Sequence, residues 1–365
     1  MAKVAQELAA ISARRPMLVC SARGAQSPGG RALIEALNLL PEAVFAGVET
    51  HAPVKSVLEA WTRASAFKPD CLIALGGGIA ADATKGLALA IAEAGRVLDF
   101  VLERAPDGRI ISRQSTRPKL PIVAIPTTLS GAEVSPQFAL TDESAKKIIF
   151  RENALAPSIL VYDPDLVRAP LQTLAPSAMN AIAHTVEALY SKARNPISAM
   201  YAAEGLRLLH GGLSAATADT AHDDAYVSLT LGAYNAAAAI VNARTALHHA
   251  ICHKLAPVVG VWHGTANSII LPRALRFNLP SARQELTQVA QLICRNGRQD
   301  AEDAIEELGE LCARAGLPRR LRDVGVKQDV FPALAEKIFA EPGLAFNPRE
   351  IRSVEEIEGV LHAAW

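Results

Sequence analysis

The chain has 365 residues, of which 50% are hydrophobic and 20% charged, and its 37 basic and 37 acidic residues cancel to a net charge of zero. That length points to two domains, and balanced charge without a basic block argues against a nucleic-acid partner. Apolar runs break well before the ~20 residues a membrane helix needs, and residues 1–15 read as an amphipathic helix rather than a secretory signal. Five cysteines (Cys20, Cys71, Cys252, Cys294, Cys312) make an odd count with no CxxC pair. They read as buried thiols of a reducing compartment, so a cytoplasmic protein is expected.

In chain order, MLVC at 17–20 is the first strand and residues 29–40 form a helix. VFAGV at 44–48 is the second strand, followed by a helix over 54–67. CLIAL at 71–75 is the third strand and runs straight into Gly76-Gly77-Gly78 and a helix over 80–94. Residues 95–119 carry Pro, Gly and several arginines and read as a surface excursion. PIVAI at 121–125 and ILVY at 159–162 are the fourth and fifth strands. Strand–helix alternation with continuously apolar strands predicts a parallel sheet covered on both faces.

After Asp163-Pro164 the chain becomes Ala- and Leu-rich with helical periodicity. Helices are expected near 177–193, 196–216, 222–241, 244–256, 263–277, 280–297, 300–315, 318–325 and 328–340. The division is therefore an α/β dinucleotide-binding domain over 1–164 and an all-helical domain over 165–365, with a ligand crevice expected between them.

The densest cluster of chemistry is Leu247–Asn267, which holds four of the nine histidines. His249 and His253 stand four apart and share a helix face; Asn180 and His184 repeat that spacing upstream, and His263 precedes Gly264. In the first half, the triple glycine after a buried strand lets the backbone approach a phosphate, with a helix N-terminus behind it. Ile125–Glu133 (IPTTLSGAE) is a second polar loop at the carboxyl end of a strand. Either loop alone is an ordinary turn or cap cluster; together they point to a dinucleotide site.

GGGxxxDxxK (76–85), PTTxxGxE (126–133), DPDL (163–166), NAIAHTVEALY (180–190), HHAICH…WHG (248–264) and NPR (347–349) occur in that order. The chain resembles the iron-containing alcohol dehydrogenase superfamily, and most closely its maleylacetate reductases. The resemblance implies a Rossmann-like α/β domain with a parallel sheet, an all-α domain, a homodimer, and hydride transfer from NAD(H) or NADP(H). It places Gly77, Gly78 and Asp82 on the pyrophosphate and ribose side. Thr127, Thr128 and Ser130 flank the adenine and nicotinamide ends, and Lys147 reaches a ribose hydroxyl. Metal-dependent members hold Fe²⁺ or Zn²⁺ with one Asp and three His. The matching positions are Asn180, His184, His249 and His263, while His253 matches the family histidine beside the nicotinamide that relays a proton.

Asn180 is the main departure, because an amide brings neither the charge nor the strong oxygen ligand of a carboxylate. Asn here resembles the metal-free maleylacetate reductases, as does His51 in ETHAPV. Asp82 and His263-Gly264 resemble the metal-dependent dehydrogenases instead. The turn after the first strand is Cys20-Ser21-Ala22-Arg23; it lacks the family's acidic residue, so a 2′-phosphate is not repelled and Arg23 can pair with it.

The leading expectation is a metal-independent NAD(P)H-dependent reductase that turns maleylacetate into 3-oxoadipate in aromatic-compound catabolism. Imidazoles at His184, His249 and His263 would stabilise the enolate, and His253 would donate the proton. Arg244 and Lys254 are candidate cations for a dicarboxylate. The alternatives are an Fe- or Zn-dependent alcohol dehydrogenase, with the metal polarising oxygen at His184, His249 and His263, and a non-catalytic nucleotide-binding homologue.

Overall fold

The computed structural model describes residues 2–104, 110–111, 113–218, 223–261, 263–295 and 297–365. Contacts divide the chain into two compact units, Met1–Leu166 and Val167–Trp365.

The first unit begins with α1 (Ala2–Ala10), β1 (Pro16–Val19), α2 (Ala22–Gln26) and α3 (Pro28–Ala36). It continues through β2 (Val44–Phe45), α4 (Val54–Phe67), β3 (Cys71–Gly76) and α5 (Gly78–Ala92). A two-stranded piece, β4 (Glu103–Arg104) with β5 (Ile110–Ile111), lies in the excursion, of which residues 105–109 and 112 are outside the described residues. The last strands are β6 (Ile122–Pro126), β7 (Gln137–Thr141), β8 (Lys147–Arg151) and β9 (Ile159–Leu160). Among the described residues the main sheet has the order β2-β1-β3-β6-β9, with every neighbouring pair parallel.

Period-2 alternation explains why these strands are apolar throughout. Met17, Val19, Leu72, Ala74, Ile122 and Ala124 pack on one face against α4 and α5. Leu18, Ile73, Leu75, Val123 and Ile125 pack on the other with Val4 and Leu8 of α1 and Leu33 of α3. With both faces buried, no position is left for a polar residue. The order reverses between β1 and β3, and the carboxyl ends of strands at such a reversal are where open α/β sheets bind ligands. Ser21 and Gly76–Gly78 lie at those two ends.

Several expectations change in detail. The second strand keeps only Val44–Phe45, because beyond it Cys20 O accepts from Val48 N at 3.1 Å, one residue later than a regular parallel ladder. The helix expected over 29–40 starts at Pro28, capped by the Ser27 hydroxyl accepting from Gly30 N at 3.0 Å. The β7–β8 hairpin had no counterpart in the sequence reading.

The second unit is helical: α6 (Leu171–Tyr190), α7 (Pro196–Thr217), α8 (Asp223–Ala243), α9 (Leu247–Val259), α10 (His263–Ile293), α11 (Ala301–Arg314), α12 (Phe331–Phe339) and α13 (Val354–Ala364). From Leu174 onward α6 is buried at nearly every position, packed among α7, α8 and α10. The two helices expected over 263–277 and 280–297 are both present within α10, meeting at the non-helical Ala282 (φ −131°, ψ 24°) just after Pro280, and the second ends at Ile293. The helix expected over 318–325 is only a 3-10 turn, Leu321–Val324, stopped by Gly325 at φ +80°. No helix is long and apolar enough to cross a membrane, among the described residues.

Candidate active site

In the first unit, β3 ends at Gly76 and α5 starts at Gly78, with Gly77 as its N-cap. No side chain caps this end and its first turn carries no acidic residue. Free N–H groups and a positive dipole end are what a pyrophosphate requires. A Cβ at Gly77 would stand 2.8 Å from Thr128 Cγ2, so the two loops touch where only glycine fits. Thr127 N donates to Gly76 O at 3.1 Å, and Thr128 Oγ1 donates to Ser130 Oγ at 3.3 Å. Gly77, Gly78, Thr127, Thr128 and Ser130 are thus brought together, and the uncapped start of α5 with the Thr and Ser hydroxyls fits a dinucleotide phosphate. Ser21, at the end of β1, caps α2 by accepting from Gly24 N at 3.1 Å.

Asp82 lies one turn into α5, and its Oδ2 accepts from Ala139 N of β7 at 3.1 Å. Burial raises its pKa while the charges of Lys85 and Lys147 oppose the rise. Lys147 is exposed at the start of β8. Lys85, fully buried, donates to Ala132 O at 2.7 Å, and buried Glu133 accepts from Tyr162 Oη at 2.9 Å. These groups tie α5 to the loop after β6. The GGGxxxDxxK and PTTxxGxE motifs contained Lys85 and Glu133, but spacing alone gave them no role.

In the second unit, α6, α9 and α10 bring four imidazoles together. His184 stacks on His249 with centroids 4.4 Å apart and planes 13° apart. His249 lies 5.8 Å from His253 and 6.4 Å from His263, and His253 stacks on His263 at 5.8 Å. Asn180, one turn before His184, is buried, and its Oδ1 has no hydrogen-bond partner among the described residues. The same holds for Nε2 of His249. Trp262, in the WHG motif, lies outside the described residues.

Two residues the sequence reading missed organise this cluster. Glu187, fully buried on α6, takes His249 Nδ1 at 2.6 Å on Oε2 and accepts from His248 N at 2.9 Å on Oε1. It therefore caps the N-terminus of α9 and orients the His249 ring at once. His248 is also buried, with Nε2 3.1 Å from Asn267 O and Nδ1 3.2 Å from His249 Nδ1. The available signal was an acidic residue three positions after His184 in an otherwise apolar helix, which shares its face.

Burial sets the charge state. It pushes His184 down to about 4, against the opposing charge of Glu187, and His248 down to about 3. His249 is driven well below its ordinary value by burial and by the charges of His184 and His263. Burial raises the Glu187 carboxyl. These three rings are neutral at neutral pH, so they act through hydrogen bonds and lone pairs rather than positive charge. The His249–Glu187 contact is accordingly a hydrogen bond between a neutral ring and a buried carboxyl group.

The family's metal needs an Asp and three His around one point. Among the described residues, the set of three His, Cys or acidic groups whose ligand atoms all lie within 4.8 Å of one another is Glu187, His248 and His249. Those groups already bond to one another and to the first amides of α9. A neutral amide at 180 stands where that set has a carboxylate and is a weaker ligand for Fe²⁺ or Zn²⁺, while Asn180 Oδ1 and His249 Nε2 are buried there without a partner among the described residues.

Of the candidate substrate cations, Lys254 is spent on Glu341 at 2.5 Å. Arg244 is exposed at the end of α8 with φ +65°. His51, also with positive φ (+67°), accepts from Thr141 Oγ1 through its backbone oxygen at 2.8 Å.

The model of the iron-containing alcohol dehydrogenases matches residues 1–164, and that of the Fe-containing alcohol dehydrogenase family, C-terminal, matches 174–365. A maleylacetate reductase of Burkholderia cepacia is 30% identical over 84% of this chain and 78% of its own. A 1,3-propanediol dehydrogenase of Klebsiella pneumoniae is 30% identical over 88% and 83%. The crystal structure of a maleylacetate reductase from Agrobacterium tumefaciens superposes with a TM-score of 0.83 at 27% identity, covering 100% of this chain and 93% of that one. Fold and matches together define an NAD(P)-dependent oxidoreductase of small molecules. The chain belongs to the iron-containing alcohol dehydrogenase family, and within it is similar to the maleylacetate reductases.

Proposed function

We propose that the protein is a metal-independent reductase that converts maleylacetate to 3-oxoadipate, with NADH or NADPH as hydride donor. The observation that carries this reading is Asn180: a neutral amide stands beside the histidines where the metal carboxylate is required. The bare N-terminus of α5, with the Thr127–Ser130 hydroxyls, holds the cofactor phosphates. When bound, the cofactor supplies the hydride.

His249 Nδ1 stands 2.6 Å from Glu187 Oε2, and we assign the tautomer with the proton on Nδ1, which leaves a lone pair at Nε2. In that tautomer it positions its neighbours, whereas the opposite tautomer gives it the enolate-stabilising role expected from the sequence. With the assigned tautomer, donation to the enolate falls to ring N–H groups of His184 and His263, with the exposed His253 delivering the proton. Exposed Arg23 supports acceptance of NADPH alongside NADH. A cytoplasmic homodimer goes with this reading, supported by five unpaired cysteines for the compartment and by the family resemblance for the dimer.

A metal-dependent dehydrogenase is the second reading. The unpartnered Asn180 Oδ1 and His249 Nε2 favour it, as does the equal identity to the Klebsiella 1,3-propanediol dehydrogenase. Initial rates of NADH and NADPH oxidation on maleylacetate, against NAD⁺ reduction on 1,3-propanediol, separate the two. Saturable oxidation of both cofactors on maleylacetate is expected. Turnover confined to the diol contradicts the proposal, and no turnover with either leaves a nucleotide-binding homologue.

A further inference from the structure

A cavity of about 700 Å³ lies among α10, α11, α13 and the link after α11. Its lining carries Arg273, Arg276, Arg319 and Arg349 against Glu306, Glu310 and Glu356. The three carboxylates are already engaged. Glu356 pairs with Arg349 at 3.0 Å and accepts from Arg352 N at 2.7 Å. Glu306 and Glu310 pair with Arg298 at 3.0 and 3.6 Å.

Arg273, Arg276 and Arg319 are left with no carboxylate within 4.0 Å among the described residues. Arg273 is half-buried, and among the described residues it donates long bonds to Ile269 O at 3.3 Å and Ala363 O at 3.5 Å. Burial, then the like charges of Arg319, Arg320 and Arg276, lower its pKa. In a chain with as many acidic as basic residues, a concave group of cations whose nearby carboxylates are all paired elsewhere is a charge deficit with room for a counter-ion. Guanidinium forks match phosphoryl and carboxylate oxygens in geometry as well as charge.

We propose that this cavity is a second, non-catalytic site that takes a small multivalent anion, its phosphoryl or carboxylate groups held by Arg273, Arg276 and Arg319.

The test is calorimetric titration of the whole protein with tripolyphosphate and, separately, citrate. Ionic strength is fixed, and saturating NAD⁺ fills the cofactor phosphate site. The same titrations are run on the Arg276→Gln/Arg319→Gln variant, whose two positions are exposed. One saturable site per chain is expected for at least one probe, weakened at least fivefold in the variant, with thermal midpoint unchanged. Uptake of tripolyphosphate alone assigns phosphoryl chemistry, and uptake of citrate alone assigns carboxylate chemistry. Absence of saturable binding of both probes to the wild type, or weakening of less than fivefold, overturns the proposal.

Discussion

The residue with most leverage is Glu187, which satisfies the His249 ring nitrogen and the first amides of α9 from inside the core. Glu187→Ala leaves these donors buried and unpaired. Urea unfolding should show a loss of about 3 kcal/mol, and kcat should fall about 10- to 100-fold as His249 loses its orientation. A loss below ~1 kcal/mol would mean that the carboxyl group is not the organiser described here. His184 gives the pH dependence. Its folded value of about 4 lies below the ordinary 6.5, so between those values the unfolded chain binds more protons. Stability is therefore full above pH 6.5 and drops as pH falls toward 4. In chelator-treated protein, His184→Asn should make that decline shallower in urea midpoints, and equal slopes would contradict the assignment. The histidines were legible because i, i+4 spacing is visible in a string of letters. Glu187 was not, because its meaning depends on α9 being brought against the same face of α6 by the fold.

At the scale of elements, α10 reaches the cluster through one close approach. A Cβ at Gly264 would stand 2.6 Å from Pro176 Cβ and 2.9 Å from its carbonyl, so the helix carrying His263 lies on the backbone of the helix carrying His184. Gly264→Ala should destabilise by about 1–3 kcal/mol through overpacking and raise KM by displacing His263. Unchanged thermal midpoint and KM would show that the contact is not held. The strands and long helices were readable because burial on both faces, or on one stripe, writes its period into the sequence. The β7–β8 hairpin escaped because its turn is made by Asp142, whose Oδ1 accepts from Ser144 N and Lys146 N at 2.9 Å, and carries no glycine signal. Stacking of Phe138 on Phe150 at 4.8 Å then fixes the pairing. Helix α13 had a visible start in Ser353-Val354-Glu355-Glu356, yet Glu356 turns to Arg349 and Arg352 instead of closing a capping box.

At the scale of the whole molecule, alternating strands and helices followed by an Ala- and Leu-rich half specify the architecture, since few arrangements bury those patterns. Chemistry is less determined. A maleylacetate reductase and a 1,3-propanediol dehydrogenase are equally similar to this chain at 30% identity. The metal-independent reading rests on the amide at 180 and the neutral rings beside it. The measurement that tests this most directly is metal analysis of the purified protein, paired with NADH oxidation on maleylacetate with and without a chelator. Substoichiometric Fe and Zn and a rate the chelator does not change are expected. One equivalent of bound metal, with activity abolished by the chelator, would contradict that reading and show that three histidines and an amide suffice.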